Sequence, residues 1–338
     1  MRILIIGGAG FIGSNYADRH LAAGDEVVVF DNLSRPKTGL NLEWLRSRHG
    51  SRLTFTQGDV RDYQAVAETV AGMDAVAHLA GQVAVTTSIA NPREDFEINA
   101  LGTFNVLEAV RRGCPDAGVL FASTNKVYGG LEGVAVVEEP TRHVLPDLPD
   151  GVPETHPLDF HSPYGCSKGA ADQYVRDYSR VYGMRTVVFR QSCIYGIRQF
   201  GVEDQGWVAH FCISAALGRP ITIYGDGKQV RDVLWIDDLL KAYDLALGRL
   251  DVASGQVYNV GGGPANTMSI WAEFEPLLRP LMSGPLAVQY RDARVGDQKV
   301  YVSNIDKAKR ELAWAPRVSI PEGVKRLWRW VSDNRGMF

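Results

Sequence analysis

Met1-Arg-Ile-Leu-Ile-Ile6 runs directly into Gly7-Gly-Ala-Gly10-Phe-Ile-Gly13, and a helical pattern of apolar residues follows as far as Leu21. The continuous apolar run reads as a strand buried on both faces, the glycines as a tight turn, and the return of helical spacing as a helix that starts at once. Strand, glycine turn and helix in that order suit a dinucleotide, because the free N–H groups of the first helical turn can meet a pyrophosphate with no side chain in the way. Gly8, Gly10 and Gly13 satisfy G-x-G-x-x-G, and Gly7, Gly10 and Gly13 satisfy a wider spacing, with Phe11 and Ile12 between the last two. A tight turn without any ligand is the competing reading.

The next apolar run, Glu26-Val-Val-Val-Phe30, ends in Asp31, where a carboxylate can accept from ribose hydroxyls and repel a 2'-phosphate. NAD is therefore expected over NADP. Asn32, Ser34 and Arg35 share the loop, and the Arg35 guanidinium argues the other way, since it could receive that phosphate. Further strand-like runs at Leu53 to Gln57, Ala75 to Leu79, Val119 to Ala122 and Thr186 to Arg190 alternate with helix-like stretches. That alternation predicts an α/β protein with a Rossmann-type doubly wound parallel sheet, whose ligands lie at the carboxyl ends of the strands. The residues just beyond those ends are candidates: Asp59 and Val60, Leu79, Ala80 and Gln82, Ser123 to Lys126, and Gln191.

Leu158 to Lys168, LDFHSPYGCSK, sets a phenol at Tyr164 and an ammonium at Lys168 four residues apart. A helix beginning near Ser162 or Pro163 puts both on one face. A free tyrosine, with a pKa of about 10, is a poor base at neutral pH, and a neighbouring cation favours its phenolate. Tyr164 could then take a proton from an alcohol as hydride leaves carbon. On its own, Tyr-x-x-x-Lys also reads as a surface pair on a helix.

The chain has 338 residues, a formal net charge of −3 and no basic run, which speaks against nucleic acid as the main partner. No apolar stretch approaches membrane-spanning length and the opening residues read as a strand, so no membrane partner and a cytoplasmic location are expected. Cys114, Cys166, Cys193 and Cys212 are irregularly spaced, and the seven histidines show no ligand spacing, so no metal is expected. His161, beside the Tyr164 segment, reads as structural.

Residues 1–195, with a return at 233–262, are assigned to the dinucleotide-binding domain; 196–232 and 263–338 are assigned to a smaller mixed α/β substrate-binding lobe. The Pro-rich, acidic stretch Gly129 to Pro157 has little periodicity and reads as a long loop beside the site.

From GGAGFIG through Asp31, Asn99, Ser123-Thr124 and Tyr164-x-x-x-Lys168 to Arg231-Asp232, the chain resembles the extended short-chain dehydrogenase/reductase family, which remodels nucleotide sugars. STNKVYG at Ser123 to Gly129, LDFHSPYGCSKGAADQYV at Leu158 to Val175 and RQFGVEDQGWV at Arg198 to Val208 resemble its 2-epimerases of CDP-linked hexoses. The resemblance implies a tightly held NAD, transient oxidation of the sugar at C2 to a ketone, and hydride return to the opposite face. It implies Tyr164 as the base, Lys168 lowering the Tyr164 pKa and holding the nicotinamide ribose, and Thr124 or Ser123 bonding the reacting oxygen. Ser123 and Thr124 also read as satisfying backbone groups at a strand end.

Asn125-Lys126 stands where the related 4,6-dehydratases carry Asp-Glu, the acid and base that expel a 6-hydroxyl. Dehydration is thus disfavoured; Asn125 would bind a sugar hydroxyl, and Lys126 reads equally as a solvated charge. Gln191 departs from the family's FRHS pattern, where His is expected. Thr222, Tyr224 and Gln229 would edge the nucleotide base, and Arg231 and Arg294 would grip the diphosphate. Gln205 and Trp207 are further substrate contacts, with Trp207 reading equally as core. By analogy, Ala100 to Arg112 and Ala170 to Tyr182 would pair two copies into a homodimer. Three readings stand: a 2-epimerase of a nucleotide-linked hexose, another nucleotide-sugar reaction such as 4-epimerisation, and a non-catalytic nucleotide sensor.

Overall fold

A computed structural model describes residues 1–294 and 297–338; Val295 and Gly296, which lie between Arg294 and Asp297, fall outside it. The chain divides into two compact units. The first comprises Met1–Val127, Ser162–Arg190 and Ala242–Tyr258, and the second Tyr128–His161, Gln191–Lys241 and Asn259–Phe338.

The first unit is built on a seven-stranded sheet, in the order Val257–Val260, Arg185–Gln191, Gly118–Thr124, Ala75–His78, Arg2–Ile6, Glu26–Asp31, Leu53–Gln57. Ile3 pairs with Val27 on one side and Ala75 on the other, both in parallel register. The sequence order reverses between Arg2–Ile6 and Ala75–His78, and a crevice opens at the carboxyl ends of strands at such a switch point. The interior strands are continuous apolar runs because helices cover both faces. On one face Leu4, Ile6, Val28, Val76, Val119 and Val188 pack against Val66, Val106, Val110 and Val175 from three helices.

The helix Ser162–Tyr182 starts where the Ser162 hydroxyl accepts from the Gly165 N–H at 3.2 Å, with Pro163 in the first turn. The expected strands are present, longer by one residue at the start and two at the end at Gly118–Thr124 and by one at each end at Arg185–Gln191, and shorter by one at Ala75–His78.

In the second unit, Val230–Trp235 is flanked by Thr267–Ser269, antiparallel, and by Val300–Tyr301 and Cys193–Tyr195, both parallel. Ile221–Tyr224 pairs in parallel with Val288–Arg291. The stretch expected as a loop beside the site contains a small hairpin, Val137–Glu138 against His143–Val144, and its hydrogen bonds tie it into this unit. The Val152 N–H donates to the Val302 carbonyl at 2.7 Å, His143 Nε2 lies 2.8 Å from an Asp226 oxygen, and the Gln298 amide donates to the Gly129 carbonyl. Val233–Lys241, expected with the sheet domain, also falls in the second unit, because Val233–Trp235 pairs with Cys193–Tyr195. Among the described residues no helix is long and apolar enough to cross a membrane.

Candidate functional site

The turn after the first strand is shaped for close approach. Gly7 has φ +82°, and a Cβ there would meet the Ala80 backbone nitrogen at 2.6 Å. A Cβ on Gly13 would run into the Gly7 carbonyl oxygen and lie 2.6 Å from the Gly8 Cα. Leu79 continues the sheet by donating to the Ile6 carbonyl at 2.8 Å. The helix Phe11–Ala23 begins after an extended Gly10 with no side-chain cap, so Phe11 and Ile12 offer first-turn N–H groups.

Asp31 closes this turn. Its two carboxylate oxygens accept from the Ala9 N–H at 3.0 Å and the Leu33 N–H at 2.8 Å, and burial pushes its pKa up against those bonds. A carboxylate has about four acceptor positions, which leaves capacity for a diol. Arg35 is exposed, and its charge acts on Asp31. Asn32 donates to Asp59 at 2.8 Å and folds back to accept from the Ser34 N–H at 3.0 Å. A paired hydrogen bond from Arg61 holds Asp59 down at about 2. The Val60 side chain is core, and its carbonyl accepts from Asn105 at 2.9 Å. These features fit an adenine dinucleotide: a cradle that side chains would fill, then an acid with spare acceptor capacity at the end of the second strand.

The second group gathers at the end of Gly118–Thr124. Thr124 hydrogen-bonds Tyr164, and its hydroxyl lies 3.3 Å from the Asn125 amide oxygen. Lys168 Nζ donates to the Ala122 carbonyl at 2.6 Å and lies 4.2 Å from the centre of the Phe121 ring. All four polar residues, Thr124, Asn125, Tyr164 and Lys168, are buried. Burial pushes the Tyr164 phenol up to about 12, against the Thr124 bond, and pushes the Lys168 ammonium down to about 8.

The expected depression of Tyr164 by Lys168 is not found in this arrangement. Desolvation outweighs it, and the charge acting on Tyr164 is the carboxylate of Asp95. Ser123 also differs from expectation. Its hydroxyl donates to Asp172 at 2.7 Å, and Asp172 is in turn held by Arg190 at 2.9 and 3.0 Å, so Ser123 belongs to a fully buried structural network. Of the two hydroxyls, only Thr124 is brought to Tyr164.

Asn99 sits in a π-helical turn, Glu97–Leu101, a feature frequent at functional sites. Its side chain accepts from the Gln82 N–H at 3.0 Å and donates to the Gln82 carbonyl, Asp95 and Ser167, each at 3.1 Å. Asp95, which the sequence reading passed over, lies four residues before Asn99 at helical spacing; that spacing was the available signal.

In the second unit, Arg294 lies with its guanidinium carbon 4.0 Å from the centre of the Tyr224 ring and bonds Glu203 at 3.0 Å and Asp204 at 2.8 Å. Tyr224 also donates to Glu203. Those two acids occupy the tip of a turn closed by mutual backbone bonds between Val202 and Gln205 at 3.0 Å. Arg231 is buried and paired with Asp297 at 2.6 Å. Thr222 is half-buried on its strand, and Gln191 is buried at the end of its own.

Gln229 braces its own unit, since its amide donates to the Tyr224 carbonyl at 2.6 Å. Trp207 is half-buried, with its ring edge-on to Phe211 at 5.8 Å and Phe274 at 5.4 Å. His161 Nε2 lies 3.0 Å from an Asp159 carboxylate oxygen in an exposed pair.

A doubly wound sheet, a glycine cradle and a buried Thr–Tyr–Lys group define an extended short-chain dehydrogenase/reductase. More narrowly, the chain belongs to the family described as GDP-mannose 4,6 dehydratase, whose model matches residues 4–327. It is 45% identical to CDP-paratose 2-epimerase of Salmonella typhi, over 98% of this chain and all of that one. Among solved structures it is similar to the dTDP-glucose 4,6-dehydratase DesIV of Streptomyces venezuelae with NAD bound (TM-score 0.85, 30% identity, 100% and 99% covered). It is also similar to the UDP-glucose 4-epimerase of Thermotoga maritima with UDP-glucose (TM-score 0.83, 29% identity, 99% and 100% covered).

Proposed function

We propose that this member of the nucleotide-sugar epimerases and dehydratases is an NAD-dependent 2-epimerase of a CDP-linked hexose, of the CDP-paratose or CDP-glucose type. The observation that carries it is the 45% identity, end to end, with CDP-paratose 2-epimerase, together with a Thr124–Tyr164–Lys168 group that has Asn125 and Lys126, not an acid pair, beside it. NAD, when bound, accepts a hydride and later returns it.

The chain's own residues do the rest. Gly7, Gly10 and Gly13 admit the pyrophosphate to the N–H groups of Phe11 and Ile12, and Asp31 takes the ribose diol. Tyr164 removes the hydroxyl proton and later restores it, and Thr124 orients the reacting oxygen. Lys168 is the proposed ligand of the nicotinamide ribose. Asn125, an amide, offers a sugar hydroxyl both a donor and an acceptor but cannot serve as the acid or base of a dehydration. Arg231 and Arg294 are the proposed diphosphate ligands.

Exposed aromatic side chains on neighbouring helices support a homodimer: Phe104 on Gly102–Gly113 and Tyr174 on Ser162–Tyr182, with ring centres 6.0 Å apart, are both substantially exposed. Four free thiols suit the cytoplasm.

The test is incubation with CDP-paratose, and in parallel CDP-glucose, in deuterated buffer without added cofactor, followed by NMR of the sugar ring. A C2 epimer that retains protium at C2 is expected. Deuterium at C2 would sink the hydride mechanism, and inversion at C4 would move the protein to the 4-epimerases.

A further inference from the structure

Asp95, in the short helix Pro92–Phe96, is 1% exposed and makes no ion pair among the described residues. A buried carboxylate is expensive unless every lone pair finds a donor, and Asp95 collects neutral donors from three separate pieces of chain. Gln82 Nε2, in the loop after Ala75–His78, donates at 3.0 Å; Asn99 Nδ2, in the π-helical turn, donates at 3.1 Å; Ser167 Oγ, on the helix that carries Tyr164 and Lys168, donates at 2.5 Å. Ser167 also lies 3.2 Å from the Tyr164 carbonyl.

We infer that Asp95 is a positioning residue for the reaction: its hydrogen bonds hold the helix of Tyr164 and Lys168 against the Gln82 loop, and its buried charge, unmatched by any arginine, biases the protonation of that pair. The inference rests on the reading of Tyr164 and Lys168 as the acid–base pair.

The surrounding groups show why this acid is different. Tyr164 is faced by Thr124, on the strand Gly118–Thr124, and by the charge of Asp95. Lys168 is faced by Asp172 on its own helix, by Asp95, and by His78 on Ala75–His78, an imidazole that burial keeps neutral with a pKa of about 3. Asp172, the stronger of the two acids acting on Lys168, is itself paired with Arg190 and bonded by Ser123. Asp95 has no arginine partner; burial pushes its own pKa up, against three neutral donors and the Lys168 charge, so its charge is spent on the pair. The direction is the same for both groups: a negative neighbour raises the pKa of an ammonium and of a phenol alike. Asp95 thus keeps Lys168 charged at higher pH and delays the Tyr164 phenolate, holding the working window of the pair at higher pH than it would otherwise occupy.

The test compares Asp95→Asn, which keeps the shape and loses the charge, with Ser167→Ala, which loses one hydrogen bond and keeps the charge. Two readouts are taken: the pH profile of epimerisation, and the titration of Lys168 in [ε-13C]lysine-labelled protein, assigned with Lys168→Met. In Asp95→Asn both limbs of the profile and the Lys168 midpoint are expected to move to lower pH by about one unit, a shift typical of one nearby charge. Ser167→Ala is expected to lower turnover with both limbs in place. If Asp95→Asn does not fold, Asp95→Ser takes its place in the same comparison. Limbs and midpoint unmoved in the neutral variant, with wild type converting substrate, would overturn the inference and leave the proposed function standing; a wild type that converts nothing would overturn the proposed function instead.

Discussion

The glycine turn and the two arginines proposed for the diphosphate are built by opposite means. In the first unit the chain removes side chains, so that backbone N–H groups and one carboxylate, Asp31, define the surface. In the second unit it supplies long charged side chains and restrains them with acids: Arg294 with Glu203 and Asp204, Arg231 with Asp297. A backbone cradle is rigid and tolerates no added atom, whereas a guanidinium held by carboxylates can exchange one anion for another. The first arrangement suits a cofactor that stays, the second a substrate that comes and goes.

Three changes would break or sharpen that contrast. The largest effect belongs to the chemistry beside the cradle: Tyr164→Phe is expected to cut turnover about 10²- to 10⁴-fold, the usual contribution of a positioned acid–base group, with bound NAD and thermal stability little altered. Rapid-quench assays and cofactor content after purification check it, and a variant with full turnover would favour a non-catalytic role for the protein. Next, Arg294→Ala should raise KM for the nucleotide sugar about tenfold or more, the worth of a hydrogen bond to a charged group, and leave NAD content unchanged. Steady-state kinetics on the holoenzyme decides it; loss of NAD in that variant would erase the division of labour.

The smallest effect concerns acid stability of the cradle's rim. Arg61 depresses Asp59 to about 2, so this pair stabilises the fold above the ordinary carboxyl pKa, and its contribution is lost as pH falls from about 4 through 2. Because the pair is partly exposed, about 1 kcal/mol is expected. Urea unfolding of Asp59→Asn between pH 2 and 6 should show that increment missing at neutral pH and no longer fading in acid.

Much of the first unit was legible because its signals are local. Interior parallel strands are continuous apolar runs, and a helix face follows from spacing, so Arg2–Ile6, Glu26–Asp31 and the helix Ser162–Tyr182 stand close to where the pattern puts them. Ser123 and Thr124 show where that legibility stops. The two hydroxyls are adjacent and chemically alike, yet strand alternation sends one to Asp172 and the other to Tyr164. Gln229 and Trp207 were ambiguous for a related reason, since a polar amide or an indole can line a ligand or brace its own unit, and only neighbours distant in sequence bear on the choice. The hairpin within Gly129 to Pro157 was hidden because its strands are two residues each, too short to show a period.

The sequence by itself determined the sheet, the glycine cradle, the acid at the end of the second strand and the Tyr–Lys spacing, because each follows from backbone geometry and side-chain period within a few residues. Only the tertiary structure decided which polar groups are paired and how strongly they are desolvated: Asp172 with Arg190, Arg231 with Asp297, Asp95 under Gln82, Asn99 and Ser167, and Tyr164 held high by burial. Charge and pKa in a buried site depend on distance through space and on the exclusion of water, and neither is written in the order of residues along the chain.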